Sequence, residues 1–394
     1  MSDEPIPTTP ALIADRREVL RWTSMLTGAS ALGLANAQAQ PVQQAQAQAP
    51  TQAPTPVAGT AGGIEMGPLR RGMLAFTLAH EQFRIPQLLE FGAMASRAGF
   101  NGLATSDHFQ PWQANQGHSG LAWVTMGALG AQTGQAWMGT AVTCPTLRYS
   151  PAVVAEAFSS LSHLYPGRVV LGVGSGEALN EQAATGQWPK WQERWDRLIE
   201  AIAVIRALWG GQQVEHKGNF YTVNARLYDA PAQPIPILTA ANGKKSMRLA
   251  GIHGDGLISD PQSWKKYKSE WEAGARSVGK DPATMPVMLE QFVVVGGEAE
   301  AREAAEMWRF TPKAWKGYYD IEDPRRIQQR ADAEVSMKDA MEGWAIGTDP
   351  AVHIAKIKEL RDSGVSVVNI HSGQMDLNKV IDFYGKEVLP HVRG

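Results

Sequence analysis

Residues 169–180 read VVLGVGSGEALN, and this stretch decides the fold. Five consecutive apolar residues, Val169 to Val173, leave no polar face, so the strand they form is buried on both sides. Gly174 and Gly176 then break the run, and Glu177-Ala178-Leu179-Asn180 opens a helical pattern. A doubly buried strand that passes through a glycine turn into a helix is the repeating unit of a parallel sheet covered by helices. Working outward, comparable runs occupy Gly72 to Leu78, Gly102 to Ser106, Trp137 to Thr143, Ile235 to Ala240, Gly256 to Ser259, Val287 to Val295 and Val365 to His371. Helical spacing of apolar residues fills the intervals, clearest over Ile85 to Ala98, Pro151 to Leu164, Trp191 to Trp209 and Gly243 to His253, with Asp376 to Leu389 after the last run. Eight such alternations predict an α/β fold of the closed (β/α)8 TIM-barrel type, and an open doubly wound sheet is the alternative. Two segments interrupt the pattern. Gln212 to Asp229 predicts a β-hairpin inserted after the fourth helix, and Met307 to Gly347, rich in Trp, Tyr and Phe, is a long insertion after the seventh strand.

The chain has 394 residues and balances 37 Lys and Arg against 39 Asp and Glu. It lacks the basic excess that nucleic-acid binding requires, so no nucleic-acid partner is expected. The lone cysteine, Cys144, excludes an intrachain disulfide, and the nine histidines form no cluster with metal-ligand spacing, so no metal site is expected. At the N-terminus, Arg16-Arg17 precedes a weakly apolar stretch of small residues from Met25 to Leu34 and the cleavage candidates Ala35-Asn36-Ala37 and Ala37-Gln38-Ala39. Residues 1–39 thus resemble a twin-arginine signal peptide, too short in its apolar part for the roughly 20 residues of a spanning helix. The expected partner is the twin-arginine translocase and the expected destination the periplasm or cell envelope. Residues 40–66, dominated by Ala, Gln, Pro and Thr, predict a disordered tether, which leaves 67–394 as one barrel domain.

Candidate chemistry lies where barrel strands end. The second run ends in Ser106-Asp107-His108-Phe109-Gln110-Pro111-Trp112, which aims an imidazole into the mouth, suited to removing a hydroxyl proton. The fourth ends in Gly174-Ser175-Gly176-Glu177, where backbone amides can approach a flat or phosphorylated ligand beside a carboxylate. This spacing matches neither the dinucleotide G-x-G-x-x-G fingerprint nor the G-x-S-x-G nucleophile elbow, so a Rossmann assignment and a serine hydrolase both fail. The fifth ends in Asn242-Gly243-Lys244-Lys245, a helix start able to receive an anion or to be a plain solvated turn.

Taken together, SDHFQPW, GTAVTCPTLRYSPAVVAEAF, LYPGRVVLGVGSGEALNE and AGIHGDGLIS resemble the luciferase-like superfamily and, within it, the F420-dependent glucose-6-phosphate dehydrogenase family. The likeness runs collinearly from Leu74 to Val388. With the twin-arginine leader, the chain looks like the exported subgroup of that family, to which F420-dependent hydroxymycolic acid dehydrogenases belong. The resemblance implies coenzyme F420 as cofactor, with FMN the alternative, and a homodimer. It implies His108 as catalytic base, Trp112 as the aromatic that orients substrate, and Glu177 as the acid that protonates the accepting ring. Asp107, Cys144, Gly174, Ser175, Gly176, Asn180, Asn242 and Gly243 fall on cofactor-lining positions, and Ala141-Val142 falls where the family carries a non-prolyl cis peptide. The implied activity moves hydride between an alcohol or ketone and C5 of the deazaflavin.

The departure from the family concerns the substrate. Sugar-phosphate members hold the phosphate with a Thr, two Lys and an Arg, and the matching positions here are Asp260, Ser263, Tyr318 and Gly343. Every cation is missing, and Asp260 would repel a dianion. The aromatic segment MWRFTPKAWKGYY, Met307 to Tyr319, suggests instead an apolar lid over an apolar or lipid-like alcohol, with an ordinary packed helical excursion as the alternative. Two other readings compete: a flavin-dependent luciferase-like monooxygenase, and a non-catalytic periplasmic binding or cofactor-carrier protein.

Overall fold

The computed structural model describes residues 65–392. The leader assigned to 1–39 and nearly all of the tether assigned to 40–66 lie outside the described residues. At the end of that stretch, Glu65–Met66 pairs antiparallel with Leu69–Arg70.

Eight parallel strands close into a barrel: β1 (Met73–Leu78), β2 (Gly102–Thr105), β3 (Trp137–Thr140), β4 (Val169–Val173), β5 (Ile237–Ala240), β6 (Gly256–Ser259), β7 (Val287–Val294) and β8 (Val367–His371). Neighbours in sequence are neighbours in space from β1 to β6. β6 also pairs with β7, β7 with β8 and β8 with β1, which completes the ring. Closure removes both sheet edges, and the open-sheet alternative is set aside.

Alternation along the strands sorts side chains between two cores. Ala75, Trp137, Val170, Leu238, Ile258, Met288 and Val367 fill the barrel interior. Leu74, Phe76, Leu103, Leu171, Leu289, Val368 and Ile370 pack outward against the helices. The helices begin where the sequence supplies caps and prolines: Ser150 accepts from Ala152 N before Pro151–Leu164, and Asp349 accepts from Ala351 N before Pro350–Asp362.

The hairpin forms from Val214–Lys217 and Thr222–Ala225, paired antiparallel. Glu200 fastens it by accepting from the amides of Asn219, Phe220 and Tyr221 and by bonding to His216 Nε2 at 3.0 Å. The insertion between β7 and β8 holds the helix Pro324–Glu334, short 3-10 turns and the two-residue strand Ala345–Ile346, which pairs with the end of β7. Its aromatic residues form a separate apolar cluster, with Trp112, Trp308, Phe310 and Tyr318 buried in it. Among the described residues, no helix is long and apolar enough to cross a membrane, and no group of three His, Cys, Asp or Glu side chains could hold a metal ion.

Candidate active site

Three loops at the C-terminal end of the barrel bring the candidate groups together. The loop after β2 presents His108 and Trp112, and the loop after β4 presents Glu177 at the N-cap of the helix Ala178–Thr185. Asn180 ties the two. Its side-chain oxygen accepts from Phe109 N at 2.8 Å and Gln110 N at 3.3 Å, which fixes the amide. Its nitrogen then lies 3.2 Å from Glu177 Oε2 and 3.1 Å from His108 Nδ1. One amide group thus bridges the imidazole of one loop and the carboxylate of the other.

The third loop, after β1, supplies a residue that the sequence reading missed. Glu81, 2% exposed, places Oε1 3.4 Å from His108 Nε2, while its other oxygen accepts from Ser106 Oγ at 2.5 Å. Ser106 Oγ in turn accepts from His80 N. The strand-end criterion that selected His108 selects Glu81 too, since it stands three residues beyond Leu78. His108 Nδ1 lies 3.2 Å from the Gln110 carbonyl as well as beside the Asn180 amide nitrogen, and Nε2 faces a buried carboxylate. Neighbouring His80 takes a different role: burial lowers its pKa, and its Nε2 lies 2.7 Å from Thr125 Oγ1 on the helix side.

Asp107 points away from His108. Its carboxylate accepts from Thr143 Oγ1 at 2.7 Å, Tyr149 OH at 3.1 Å and the Arg148 guanidinium at 3.3 Å. It therefore locks the ends of β2 and β3 together. Arg148 N also donates to Glu181 at 2.7 Å, and burial pushes the pKa of Glu181 up to about 7 despite that bond and the nearby guanidinium. Cys144 is buried in the same layer, and desolvation, reinforced by Glu177 and Glu181, keeps it a neutral thiol.

The edge of the mouth facing β3 and β4 is made of backbone. The Ala141–Val142 peptide is cis. A Cβ on Gly174 would come within 2.7 Å of Val142 Cγ2 and 3.5 Å of Cys144 Sγ, so only glycine lets the two strands approach here. Gly176 has φ +90°, a left-handed value that turns the chain toward Glu177, and half-buried Ser175 lies between the two glycines. An edge of amides and small residues suits a flat heteroaromatic ring better than a bulky ligand.

Opposite stands an aromatic wall. Trp112 is 6% exposed, packs 5.7 Å from the His108 ring, stacks on Phe310 at 4.6 Å and meets the edge of Trp315 at 6.0 Å. With its amide oriented by its neighbours, Asn242 at the end of β5 accepts from Trp315 Nε1 at 2.7 Å, so the insertion reaches across the mouth. Gly243 caps the next helix, where Lys244 pairs with Glu270 at 3.3 Å.

The four substrate-region positions separate. Asp260 caps the helix Pro261–Ser277 by accepting from Ser263 N and Ser263 Oγ, so those two stay together at the end of β6. Tyr318 is fully buried in the insertion and donates to Glu334 at 3.0 Å; burial and that bond push its pKa up to about 12. Gly343 contributes its carbonyl to Gln291 Nε2. Asp260 and Ser263 thus serve helix capping and Tyr318 core packing, exposed Gly343 offers only its carbonyl, and none of the four carries a cation.

Residues 69–366 match the family model described as luciferase-like monooxygenase, and the chain belongs to that family. Its relatives narrow the class. It is 45% identical over 329 residues, 83% of this chain and 89% of the relative, to the F420-dependent hydroxymycolic acid dehydrogenase of Mycobacterium tuberculosis. It is 37% identical over 325 residues, 80% of this chain and 96% of the relative, to F420-dependent glucose-6-phosphate dehydrogenase 1 of Rhodococcus jostii. Among solved structures, an F420-dependent secondary alcohol dehydrogenase in complex with an F420-acetone adduct superposes with a TM-score of 0.77 and 32% identity, covering 82% of this chain and 99% of that one.

Proposed function

We propose that this protein is an F420-dependent dehydrogenase acting on the CH–OH group of an alcohol that carries no phosphate. The observation that carries the reading is the set of contacts joining Glu81, His108, Asn180 and Glu177 at one mouth, beside an edge of backbone fit for a flat ring. Bound there, F420 supplies a carbon that takes up or returns a hydride. Ala141, Val142, Gly174, Ser175, Gly176, Asn242 and Gly243 would hold it.

The remaining chemistry belongs to the chain. For His108 to act as base, its proton must sit on Nδ1 and be donated to the Gln110 carbonyl in place of the contact with the Asn180 amide nitrogen, which frees the Nε2 lone pair for the substrate hydroxyl. As the C–H bond breaks and the carbonyl forms, the hydroxyl proton passes to Nε2, and the Glu81 carboxylate stabilises the resulting cation. In the reducing direction the same nitrogen returns the proton. Trp112 and Phe310 form the apolar face against which the substrate carbon is oriented, and they exclude water. Glu177, held by Asn180, is the carboxyl group for proton exchange on the cofactor side.

Loss of the cationic clamp at Asp260, Ser263, Tyr318 and Gly343 and the aromatic wall support an apolar or lipid-like alcohol over a sugar phosphate. A panel of secondary alcohols and glucose 6-phosphate, assayed with oxidised F420, tests this. Ketone formation from alcohols and none from the sugar phosphate is expected; turnover of the sugar phosphate alone, or of FMN with oxygen, would contradict it.

The same reading includes export. The Arg16-Arg17 leader and the 40–66 tether support passage of a folded, cofactor-loaded homodimer through the twin-arginine translocase to the periplasm or cell envelope. Replacing Arg16 and Arg17 by Lys should hold the protein in the cytoplasm; unchanged export would contradict this.

A further inference from the structure

A second polar cluster lies in the barrel interior, centred on β7 and β8, which supply no group to the chemistry above. β7 and β8 pair with Glu290 beside Asn369 and Phe292 beside His371, and β8 pairs with β1 with Asn369 beside Ala75. Met288, Val367 and Ala75 belong to the interior core, whereas Leu289, Val368, Ile370 and Phe76 pack on the helices. Period-two alternation therefore turns Thr77, Glu290, Phe292, Asn369 and His371 inward, in the layers above that core and toward the mouth.

His371 Nδ1 lies 2.9 Å from Glu290 Oε1. The imidazole is stacked on Phe292 at 4.3 Å and meets Trp308 edge-on at 4.3 Å, which fixes its plane. Its side chain is 3% exposed, while that of Glu290 is 40% exposed. The carboxylate thus faces open space with an immobilised imidazole behind it. Three buried polar atoms of the same patch, Thr77 Oγ1, Asn369 Oδ1 and His371 Nε2, have no partner within the protein. Buried polar atoms without partners are costly, and a cluster of them on two adjacent strands marks a surface that a hydrogen-bonding ligand or water completes. The positions assigned to the cofactor lie on β2 to β5 and their loops, so this patch falls to the substrate.

We infer that Glu290, held by His371, is a specificity-determining residue that accepts a hydrogen bond from a second hydroxyl of the alcohol and excludes substrates with a carboxylate in that place. The inference rests on the dehydrogenase reading and narrows its substrate class to neutral alcohols bearing a further hydroxyl remote from the reacting carbon. Among the described residues no Lys or Arg pairs with Glu290, so its charge is left to act on the ligand.

The test compares matched series with F420: 2-alkanols, the diols that add a terminal hydroxyl (butane-1,3-diol to decane-1,9-diol), and the hydroxy acids that carry a carboxylate there. For the native protein, kcat/KM should rank diol above alcohol above hydroxy acid at the chain length that reaches Glu290 from His108. Glu290→Gln should shrink the diol-to-alcohol ratio by roughly tenfold and raise the hydroxy acid relative to the alcohol. Quenching of F420 fluorescence on binding reports that the variant is folded. Should Glu290→Gln fail to bind F420, Glu290→Asp takes its place: it should lose the diol advantage and keep the exclusion of the acid. Identical ratios in native protein and variant, with alcohols still turned over, would overturn this inference alone. If no alcohol reduces F420, the dehydrogenase reading fails and the inference falls with it.

Discussion

Two imidazole–carboxylate pairs occupy the same barrel mouth with opposite burial. In His108–Glu81 the carboxylate is the buried member, at 2% exposure, and the imidazole is the more accessible one, at 10%. In His371–Glu290 the imidazole is buried, at 3%, and the carboxylate reaches into open space at 40%. The group nearer the ligand decides what each pair can do. An accessible imidazole backed by a carboxylate takes a proton and holds the cation that results. An accessible carboxylate backed by an imidazole accepts a hydrogen bond and repels anions, with its position fixed from behind. One pair is suited to chemistry and the other to selection.

The comparison breaks first at His108. His108→Ala removes the proton acceptor, and kcat should fall by roughly 10²- to 10⁴-fold while F420 still binds. Steady-state kinetics with a good alcohol read this directly, and an unchanged kcat would place the base elsewhere. Glu81→Gln sharpens the contrast, because it keeps the shape behind His108 and removes the charge. A loss of roughly 10- to 100-fold in kcat, with little change in KM, is expected if the carboxylate stabilises the imidazolium during turnover. Glu290→Gln should act mainly on ratios between substrates, as described above, and a collapse of kcat for every alcohol would erase the distinction between the pairs.

A smaller effect concerns the layer behind the site. Burial holds the pKa of Glu181 at about 7, above its ordinary 4.5, so the folded protein gives up that proton at higher pH than the unfolded chain does. The contribution of the protonated carboxyl to stability is complete below about pH 4.5 and is lost as pH rises through about 7. Glu181→Gln lacks this dependence. Its Tm should therefore gain on that of the native protein between about pH 5 and pH 8, and parallel Tm curves would contradict the assignment.

The ring of eight strands is legible in the sequence because each strand is a short apolar run followed by a break in the apolar pattern, such as the glycines after Val173, Asp107-His108 after β2 and Asn242-Gly243 after β5. The observed strands start up to two residues later, as at Ile237 and Val367, or end earlier, as at Thr140. His108, Trp112, Glu177 and Asn180 are legible because strand ends in a barrel share one mouth. Glu81 meets the same criterion but sits in no glycine-rich or aromatic motif. Glu290 and His371 are harder to find. Both faces of β7 and β8 carry apolar residues, so sequence alternation alone does not say which face looks inward. Closure of the ring decides that, by placing Met288 and Val367 beside Trp137. Tyr318 shows the reverse relation between sequence and structure. Collinearity puts it at a substrate position, yet the insertion packs it beneath the aromatic wall against Glu334. Tyr318 itself lies in a short 3-10 turn without helical or strand periodicity, so tertiary contacts fix its side chain.

The most direct test is a single anaerobic turnover of the native protein loaded with oxidised F420 and mixed with a secondary alcohol, protiated or deuterated at the carbinol carbon. Loss of the oxidised cofactor's visible absorbance, one ketone formed per F420 reduced, and slower reduction with the deuterated alcohol are predicted. Binding of F420 without reduction by any alcohol, or reduction that is blind to the deuterium, would contradict hydride transfer from a CH–OH group at this mouth.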